Sequence, residues 1–170
     1  QPSLRLIIST QNTISFLSDH LLALEGDRNP LSAPDRHLQV REYLEETLGL
    51  LGVVRRHSFA WNSLVGVNLV LELPGSNRTA SPIIIGAHYD TVPGSPGADD
   101  NASGVAVLLE LARVLSSAPS RHPVWLVAFD LEEFGTIGSQ ALARSINENG
   151  PRPLWMASLE MVGYRNSTRG

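Results

Sequence analysis

Apolar and polar positions follow two different spacings along the chain. In residues 1–25, leucine and isoleucine recur between polar residues at helical spacing, which predicts one helix or two. A further helix is predicted to begin after Ser32, which fits an N-cap because Asp35 follows in the first turn, and to end at Gly52. The apolar residues of its buried face would be Val40, Tyr43, Leu44, Leu48 and Leu51.

The pattern then changes to that of strands. Residues 53–61 and 64–73 are rich in valine, leucine and aromatic residues, which predicts two hairpin-like strands at a mixed or antiparallel edge. Helical patterns over 105–115 and 137–146 alternate with three short apolar runs, at 83–85, 124–129 and 155–159. This alternation predicts an α/β fold, a three-layer sandwich with a mixed, largely parallel central sheet flanked by helices. We expect residues 1–170 to form one domain.

Composition narrows the possible chemistry. The chain has 170 residues, with 13 basic and 17 acidic side chains, no cysteine and no lysine, which excludes disulfides, thiolate ligands and Schiff-base chemistry. The mild acidity and the lack of a basic cluster argue against a nucleic-acid partner. Apolar runs stay short of the roughly 18 residues of a membrane span. We expect a soluble protein, secreted or periplasmic rather than cytoplasmic, and the oligomeric state stays open.

Acidic residues follow the predicted strands that alternate with helices. Asp90 follows the first of these strands, Glu132 and Glu133 follow the second, and Glu160 follows the third. The loop 97–104 adds two neighbouring aspartates before the next helix. Because ligands bind outside the carboxyl ends of strands in open α/β sheets, we expect these carboxylates to share one site.

Several carboxylates in one place need a compensating cation. They cannot all stay ionised unless a cation joins them or their pKa values rise. His88 lies among them, and one imidazole with several carboxylates is a donor set suited to Zn²⁺, Mn²⁺ or Co²⁺. A bound divalent ion is the simplest resolution.

Spacing suggests how these residues divide their roles. His88 and Asp90 are two residues apart, so on an extended segment His88 can bind metal with one ring nitrogen while Asp90 accepts the proton of the other. Adjacent residues point in different directions. One residue of the pair 132–133 can therefore hold metal while the other reaches water, and only one of Asp99 and Asp100 can contact the metal.

Four segments carry a family pattern: Gly86-Ala87-His88-Tyr89-Asp90, Gly97-Ala98-Asp99-Asp100-Asn101-Ala102-Ser103-Gly104, Phe129-Asp130-Leu131-Glu132-Glu133-Phe134-Gly135 and Leu159-Glu160-Met161. Together these segments resemble the co-catalytic zinc aminopeptidases. This family includes bacterial leucyl-type aminopeptidases and is related to glutamate carboxypeptidases and glutaminyl cyclases. The resemblance covers about residues 35–165, in the order of the family.

The resemblance implies a zinc-dependent exopeptidase that hydrolyses the N-terminal residue of peptides through a water molecule bound to metal. Glu132 would be the general base, Asp90 would orient His88, and a cis peptide would follow Asp100. The substrate would be a peptide with a free N-terminus, held by its α-amino group in the acidic surroundings. The implied ligands are His88 and Glu160 for the first zinc ion, Glu133 for the second, and Asp100 between the two.

Two departures from the family keep alternatives open. Glu160 stands where the family usually has aspartate, and the second zinc ion needs a histidine from a later segment. His122 is not a convincing replacement, because it precedes a predicted strand whose length places it about 25 Å from the site. His20, His37 and His57 are not convincing replacements either. We therefore expect the N-terminal part of a catalytic domain, incomplete at its C-terminus, with two zinc ions in a complete site and one or none here. The alternatives are an inactive metal- or peptide-binding module and a single-zinc glutaminyl cyclase.

Overall fold

A computed structural model describes residues 10–118 and 120–164. The chain forms strands and helices in the predicted order, with an irregular helical turn at Ala98–Ser103 before the third helix. The helices are α1 (Thr10–Leu24), α2 (Pro34–Gly49), α3 (Gly104–Ser117) and α4 (Ile137–Asn149). The strands are β1 (Val54–Trp61), β2 (Leu64–Leu73), β3 (Ile83–His88), β4 (Val124–Phe129) and β5 (Trp155–Ser158).

The five strands form one mixed sheet in the order β1-β2-β4-β3-β5. The pairs β1–β2 and β2–β4 are antiparallel, whereas β4–β3 and β3–β5 are parallel. His88 pairs with Phe129, and Gly86 pairs with Ser158, so the carboxyl ends of β3, β4 and β5 meet at the same edge. The predicted α/β class and the antiparallel edge are therefore confirmed.

Strand β4 shows why the sheet is covered on both faces. All six of its residues are buried. Alternate side chains pack into two separate apolar clusters, with Leu126 among residues of α2 and α3, and Val127 beside Leu142 of α4. Period-2 alternation therefore places one helical layer on each side of the sheet. Helix α1 packs mainly against α3.

The start and end of α2 differ from the prediction. Its N-cap is Ala33, without a side-chain cap, and the helix ends at Gly49 rather than at Gly52. The Ser32 hydroxyl instead donates a hydrogen bond of 2.9 Å to the carboxylate of Asp27. The N-cap prediction for Ser32 is wrong because this residue lies in the turn before the helix, where its N–H donates to Asn29 Oδ1 at 3.2 Å.

The helix predicted in residues 1–25 is present as α1, and residues 1–9 of that prediction lie outside the described residues. Over the ranges that the structure describes, none of the helices has both the length and the apolar character needed to cross a membrane.

Candidate metal centre

His88 is the centre of the acidic edge of the sheet. It is the last residue of β3, and only 3% of its surface is exposed. Its Nε2 atom lies 3.1 Å from Asp100 Oδ1, 3.3 Å from Glu160 Oε1 and 3.8 Å from Glu132 Oε2. The sheet topology thus brings carboxylates from three separate segments to one ring nitrogen, as the positions of the acids predict.

Glu160 reaches His88 because β5 pairs with β3. The pairing continues one residue past the strand, where the Leu159 N–H donates to the Gly86 carbonyl at 2.8 Å. Glu160 follows directly, so its carboxylate lies at the same level as the end of β3. The extra methylene relative to aspartate does not prevent this carboxylate from reaching the imidazole.

Asn101 ties the Asp100 turn to the segment that carries Glu160. The peptide bond between Asp100 and Asn101 is cis, as the family resemblance implies. The buried Asn101 side chain donates to the Leu159 carbonyl at 2.8 Å and to Glu160 Oε2 at 3.3 Å. Its Oδ1 atom also accepts the N–H groups of Gly104 and Met161. Sequence reasoning missed this role because these partners, apart from Gly104, lie about 60 residues away.

The two neighbouring aspartates point in different directions. Asp100 faces His88. Asp99 Oδ1 instead accepts the Ser103 hydroxyl at 3.0 Å and the Gly163 N–H at 2.8 Å. The structure therefore brings one member of the pair to the cluster, and the other closes the turn.

Asp90 connects β3 to the segment after β4. Its carboxylate is fully buried and accepts the N–H of Glu132 at 3.0 Å and the N–H of Glu133 at 3.1 Å. The same carboxylate lies 3.4 Å from His88 Nδ1, and the Asp90 carbonyl lies 3.2 Å from that nitrogen. Asp90 thus contacts the imidazole and also sets the backbone of the two glutamates, a contact that the spacing did not predict.

Three side chains form the tightest group of donors. One ring nitrogen of His88 and one oxygen each of Asp100 and Glu160 lie within 4.8 Å of one another. In the described part of the chain, this is the one cluster of three or more His, Asp or Glu side chains that meets this spacing. Glu133 lies outside the group, although its pKa responds to the charge of Asp100.

The electrostatics of the site show an excess of negative charge. Burial alone lowers the pKa of His88, but the neighbouring carboxylates outweigh burial and raise it to about 9. Burial and then the charge of Asp100 raise the pKa of Glu133. Burial also raises the pKa of Glu160, with His88 opposing and Asp100 adding to the shift. An imidazole nitrogen with carboxylate oxygens around it fits a divalent ion of the zinc type.

The other four histidines lie away from this cluster. His37 contacts Asp130, and His20 contacts the Tyr43 hydroxyl. His57 contacts Asn68 on β2, and His122 contacts the Ser81 carbonyl. The expectation that none of them replaces the histidine of a second metal ion agrees with these positions.

A cavity of about 200 Å³ opens beside His88. Phe129 and Met156 form apolar parts of its wall, and both Glu132 and Glu160 line it. The cavity therefore joins the acidic cluster to a small apolar surface.

The fold and the donor set define an α/β protein with a candidate centre for a divalent metal ion. The family model of peptidase family M28 matches residues 68–169, which is more than half of the chain. The chain therefore belongs to peptidase family M28, and the family resemblance inferred from the four sequence segments is confirmed.

Individual relatives agree with this family. The aminopeptidase YwaD of Bacillus subtilis (strain 168) is 38% identical over 106 residues, which cover 61% of this chain and 23% of YwaD. The structure of LapB from Legionella pneumophila gives a TM-score of 0.74 at 24% identity, covering 95% of this chain and 46% of LapB. The structure of a glutaminyl cyclase from Bacteroides thetaiotaomicron gives a TM-score of 0.73 at 22% identity. This match covers 94% of this chain and 64% of the glutaminyl cyclase chain. The two structures support the fold alone, and the chain spans less than half of YwaD and of LapB.

Proposed function

We propose that this protein is a zinc-dependent aminopeptidase that removes the N-terminal residue from peptides. The observation that carries the proposal is the group of His88, Asp100 and Glu160, whose donor atoms lie within 4.8 Å of one another at the carboxyl ends of parallel strands. Membership of peptidase family M28 and the similarity to an aminopeptidase support the same activity.

The ligand roles combine the contacts within the cluster with the roles that the family resemblance implies for Glu133 and Asp100. We assign His88 and Glu160 to the first zinc ion, Glu133 to the second, and Asp100 to a position between the two. Two ions are expected in the complete centre. Bound zinc supplies positive charge that offsets the carboxylates, lowers the pKa of water and polarises the carbonyl group of the substrate.

Glu132 is the general base of this proposal. Its carboxylate lies 3.8 Å from His88 Nε2, and 35% of its side chain is exposed, so it faces both the cluster and solvent. Glu132 would accept a proton from the attacking water molecule and transfer it to the leaving amine. Asp90 holds the backbone N–H groups of residues 132 and 133 and contacts His88 Nδ1, so it orients both the base and the imidazole.

The substrate assignment rests on charge. A surplus of carboxylates around one imidazole favours a cationic group, and the α-amino group of a peptide provides one. The cavity beside His88, with Phe129 and Met156 in its wall, offers space next to the cluster. We therefore propose peptides with a free N-terminus as substrates. We also propose that the chain belongs to one catalytic domain and that the protein is secreted or periplasmic.

The substitution Glu132→Gln in the full-length protein tests the mechanism. It removes the base while keeping the size of the side chain, so we expect turnover of unblocked dipeptides to fall about 10²- to 10⁴-fold with the zinc content unchanged. The matched control is Glu42→Gln, an exposed glutamate on α2, which should keep full turnover. N-acetylated dipeptides should be poor substrates of the unmodified protein.

Three results would overturn the proposal. Peptidase activity retained in Glu132→Gln would show that Glu132 is not the general base. Cyclisation of an N-terminal glutaminyl peptide without hydrolysis would make the protein a glutaminyl cyclase. Zinc bound without turnover of any unblocked peptide would make it a binding module.

A further inference from the structure

Arg28 is buried beside the segments that carry His88 and Asp100, and within residues 10–118 and 120–164 no carboxylate forms an ion pair with it. It lies between α1 and α2, and only 1% of its surface is exposed. Its side chain donates five hydrogen bonds, and every acceptor is a backbone carbonyl: Leu24, Gly26, Tyr89, Pro96 and Gly97. A buried charge is costly unless its hydrogen bonds are made, and here all three guanidinium nitrogens have partners.

Three of the five acceptors, Tyr89, Pro96 and Gly97, belong to the two segments that carry proposed ligands. Tyr89 lies directly after His88, and its carbonyl is 2.9 Å from Arg28 Nε. Gly97 lies three residues before Asp100, and its carbonyl is 2.9 Å from Arg28 Nη2. Because a guanidinium is planar and its donors point in fixed directions, one side chain determines the separation of the two segments.

The guanidinium of Arg28 lies directly against the backbone of Gly97. Its φ angle is +56°, in the region that favours glycine. A Cβ atom at this position would lie 2.6 Å from Arg28 Nη2 and 2.3 Å from Thr91 Cγ2. A side chain at residue 97 would therefore push the turn away from the guanidinium.

Hydrogen bonds that do not use the guanidinium also support the loop around Arg28. The Arg28 N–H donates to the Thr91 hydroxyl at 2.8 Å, and the Asn29 side chain donates to the Thr91 carbonyl at 2.8 Å. The Gly26 N–H donates to the Pro96 carbonyl at 2.8 Å. Since these bonds remain when the guanidinium is replaced, the loop keeps part of its attachment to both segments.

We propose that Arg28 is a positioning residue of the metal centre, whose guanidinium holds the segments after β3 and before Asp100 so that His88 and Asp100 face each other at 3.1 Å. The proposal rests on the proposed metal-binding function of this site. Arg28 itself lies behind the donor atoms and contacts neither the metal nor the substrate in this scheme.

The test compares arginine with lysine at this position. Arg28→Lys keeps the positive charge but loses the fork of donors. We expect the affinity for zinc, measured by competition with a chelating dye, to fall about 10- to 100-fold. The absorption spectrum of the Co²⁺-substituted protein should change, since the donors move relative to one another. Circular dichroism and thermal unfolding report whether the variant remains folded.

Arg36 provides the matched control. Its Nη2 atom donates to the carbonyls of Ala23 at 2.7 Å and Glu25 at 2.9 Å, so it binds the end of α1 but neither ligand-bearing segment. Arg36→Lys should leave the zinc affinity and the Co²⁺ spectrum unchanged. A fall in zinc affinity in Arg28→Lys alone supports a positioning role.

The outcomes separate this proposal from the function on which it rests. A folded Arg28→Lys variant with unchanged zinc affinity and Co²⁺ spectrum would overturn it, and so would a variant that only unfolds, since the role would then be structural. If the unmodified protein and His88→Ala take up equally little zinc, the metal centre itself is wrong. The turnover of Glu132→Gln tests the proposed function without testing the role of Arg28.

Discussion

Two clusters of histidine and carboxylate lie close together in this protein and differ in how their charges are balanced. In the first, His37 Nε2 of α2 lies 2.8 Å from Asp130 Oδ1, and both side chains are buried. The oxygens of Asp130 also accept the N–H groups of Val67 at 2.8 Å and Leu131 at 2.9 Å. One anion therefore meets one imidazole and two backbone donors, and its hydrogen bonds are satisfied within the protein.

The His88 cluster has the opposite balance. Four carboxylates contact this imidazole, and the side chains of Asp100 and Glu160 are 46% and 43% exposed. The donors directed at these four carboxylates are the imidazole, two backbone N–H groups and the Asn101 side chain, one for each carboxylate, whereas Asp130 alone has three. The comparison teaches that the ratio of carboxylates to donors, rather than the residue types, separates a structural pair from a candidate cation site.

His20 extends this comparison to a histidine without a carboxylate in hydrogen-bonding contact. Its Nδ1 atom contacts the Tyr43 hydroxyl, and its ring packs against Phe16. Its buried Nε2 atom has no hydrogen-bond partner among the residues that the structure describes. Burial lowers the pKa of His20, whereas the carboxylates raise the pKa of His88 to about 9. The pKa values thus follow the number of carboxylates around each ring.

The largest expected effect comes from breaking the buried pair. Asp130→Ala removes the partner of His37 and the acceptor of two backbone N–H groups, so we expect the free energy of unfolding to fall by about 3–5 kcal/mol. Urea denaturation of the metal-free protein measures this change. The control is Glu45→Ala, which removes the exposed partner of Arg56 and should cost less than about 1 kcal/mol. A loss below about 1 kcal/mol in Asp130→Ala would contradict the structural assignment of the pair.

The second effect concerns metal binding rather than stability. Asp100→Asn should lower the zinc affinity about 100-fold, equal to about 2.7 kcal/mol, because it removes the negative charge of a proposed ligand. The metal-free protein should keep its stability within about 1 kcal/mol, since the substitution also removes repulsion that raises the pKa of Glu133 and Glu160.

Asp99→Asn is the matched control for this second prediction. Asp99 belongs to the same turn but faces Ser103 and Gly163, so its substitution should leave the zinc affinity unchanged. Isothermal titration with zinc measures both variants. Equal affinities of the two variants would contradict the distinction between the aspartates.

The smallest effect is the pH dependence due to His20. Burial lowers its pKa in the folded protein below the ordinary 6.5, with Asp19 and Glu110 partly opposing. As the pH falls below 6.5, the unfolded chain takes up the proton first, so stability is lost on acidification. His20→Phe, compared with the unmodified protein by urea denaturation at several pH values, should show a weaker loss on acidification. An identical pH dependence of the two proteins would show that His20 does not contribute.

The sequence predicted the parts of this protein that depend on local pattern. The bounds of β2 and β4 agree with the apolar runs 64–73 and 124–129, because strand lengths follow from runs that end at polar or turn residues. The acids after β3, β4 and β5 converge as predicted because parallel strands end at the same edge. The bounds of α2 differ from the prediction, and its start is displaced because Ser32 lies in the turn before Pro34.

The tertiary structure decided which partner each polar group meets. Arg28 contacts a carbonyl 61 residues away, His37 contacts a carboxylate 93 residues away, and Asn101 contacts a carbonyl 58 residues away. Such pairs depend on the strand order β2-β4-β3, which local periodicity does not encode. Residue type and spacing therefore determined which groups could act at the sheet edge. Long-range packing determined which of them face one another, since hydrogen bonds act over a few ångströms in space and are independent of distance along the chain.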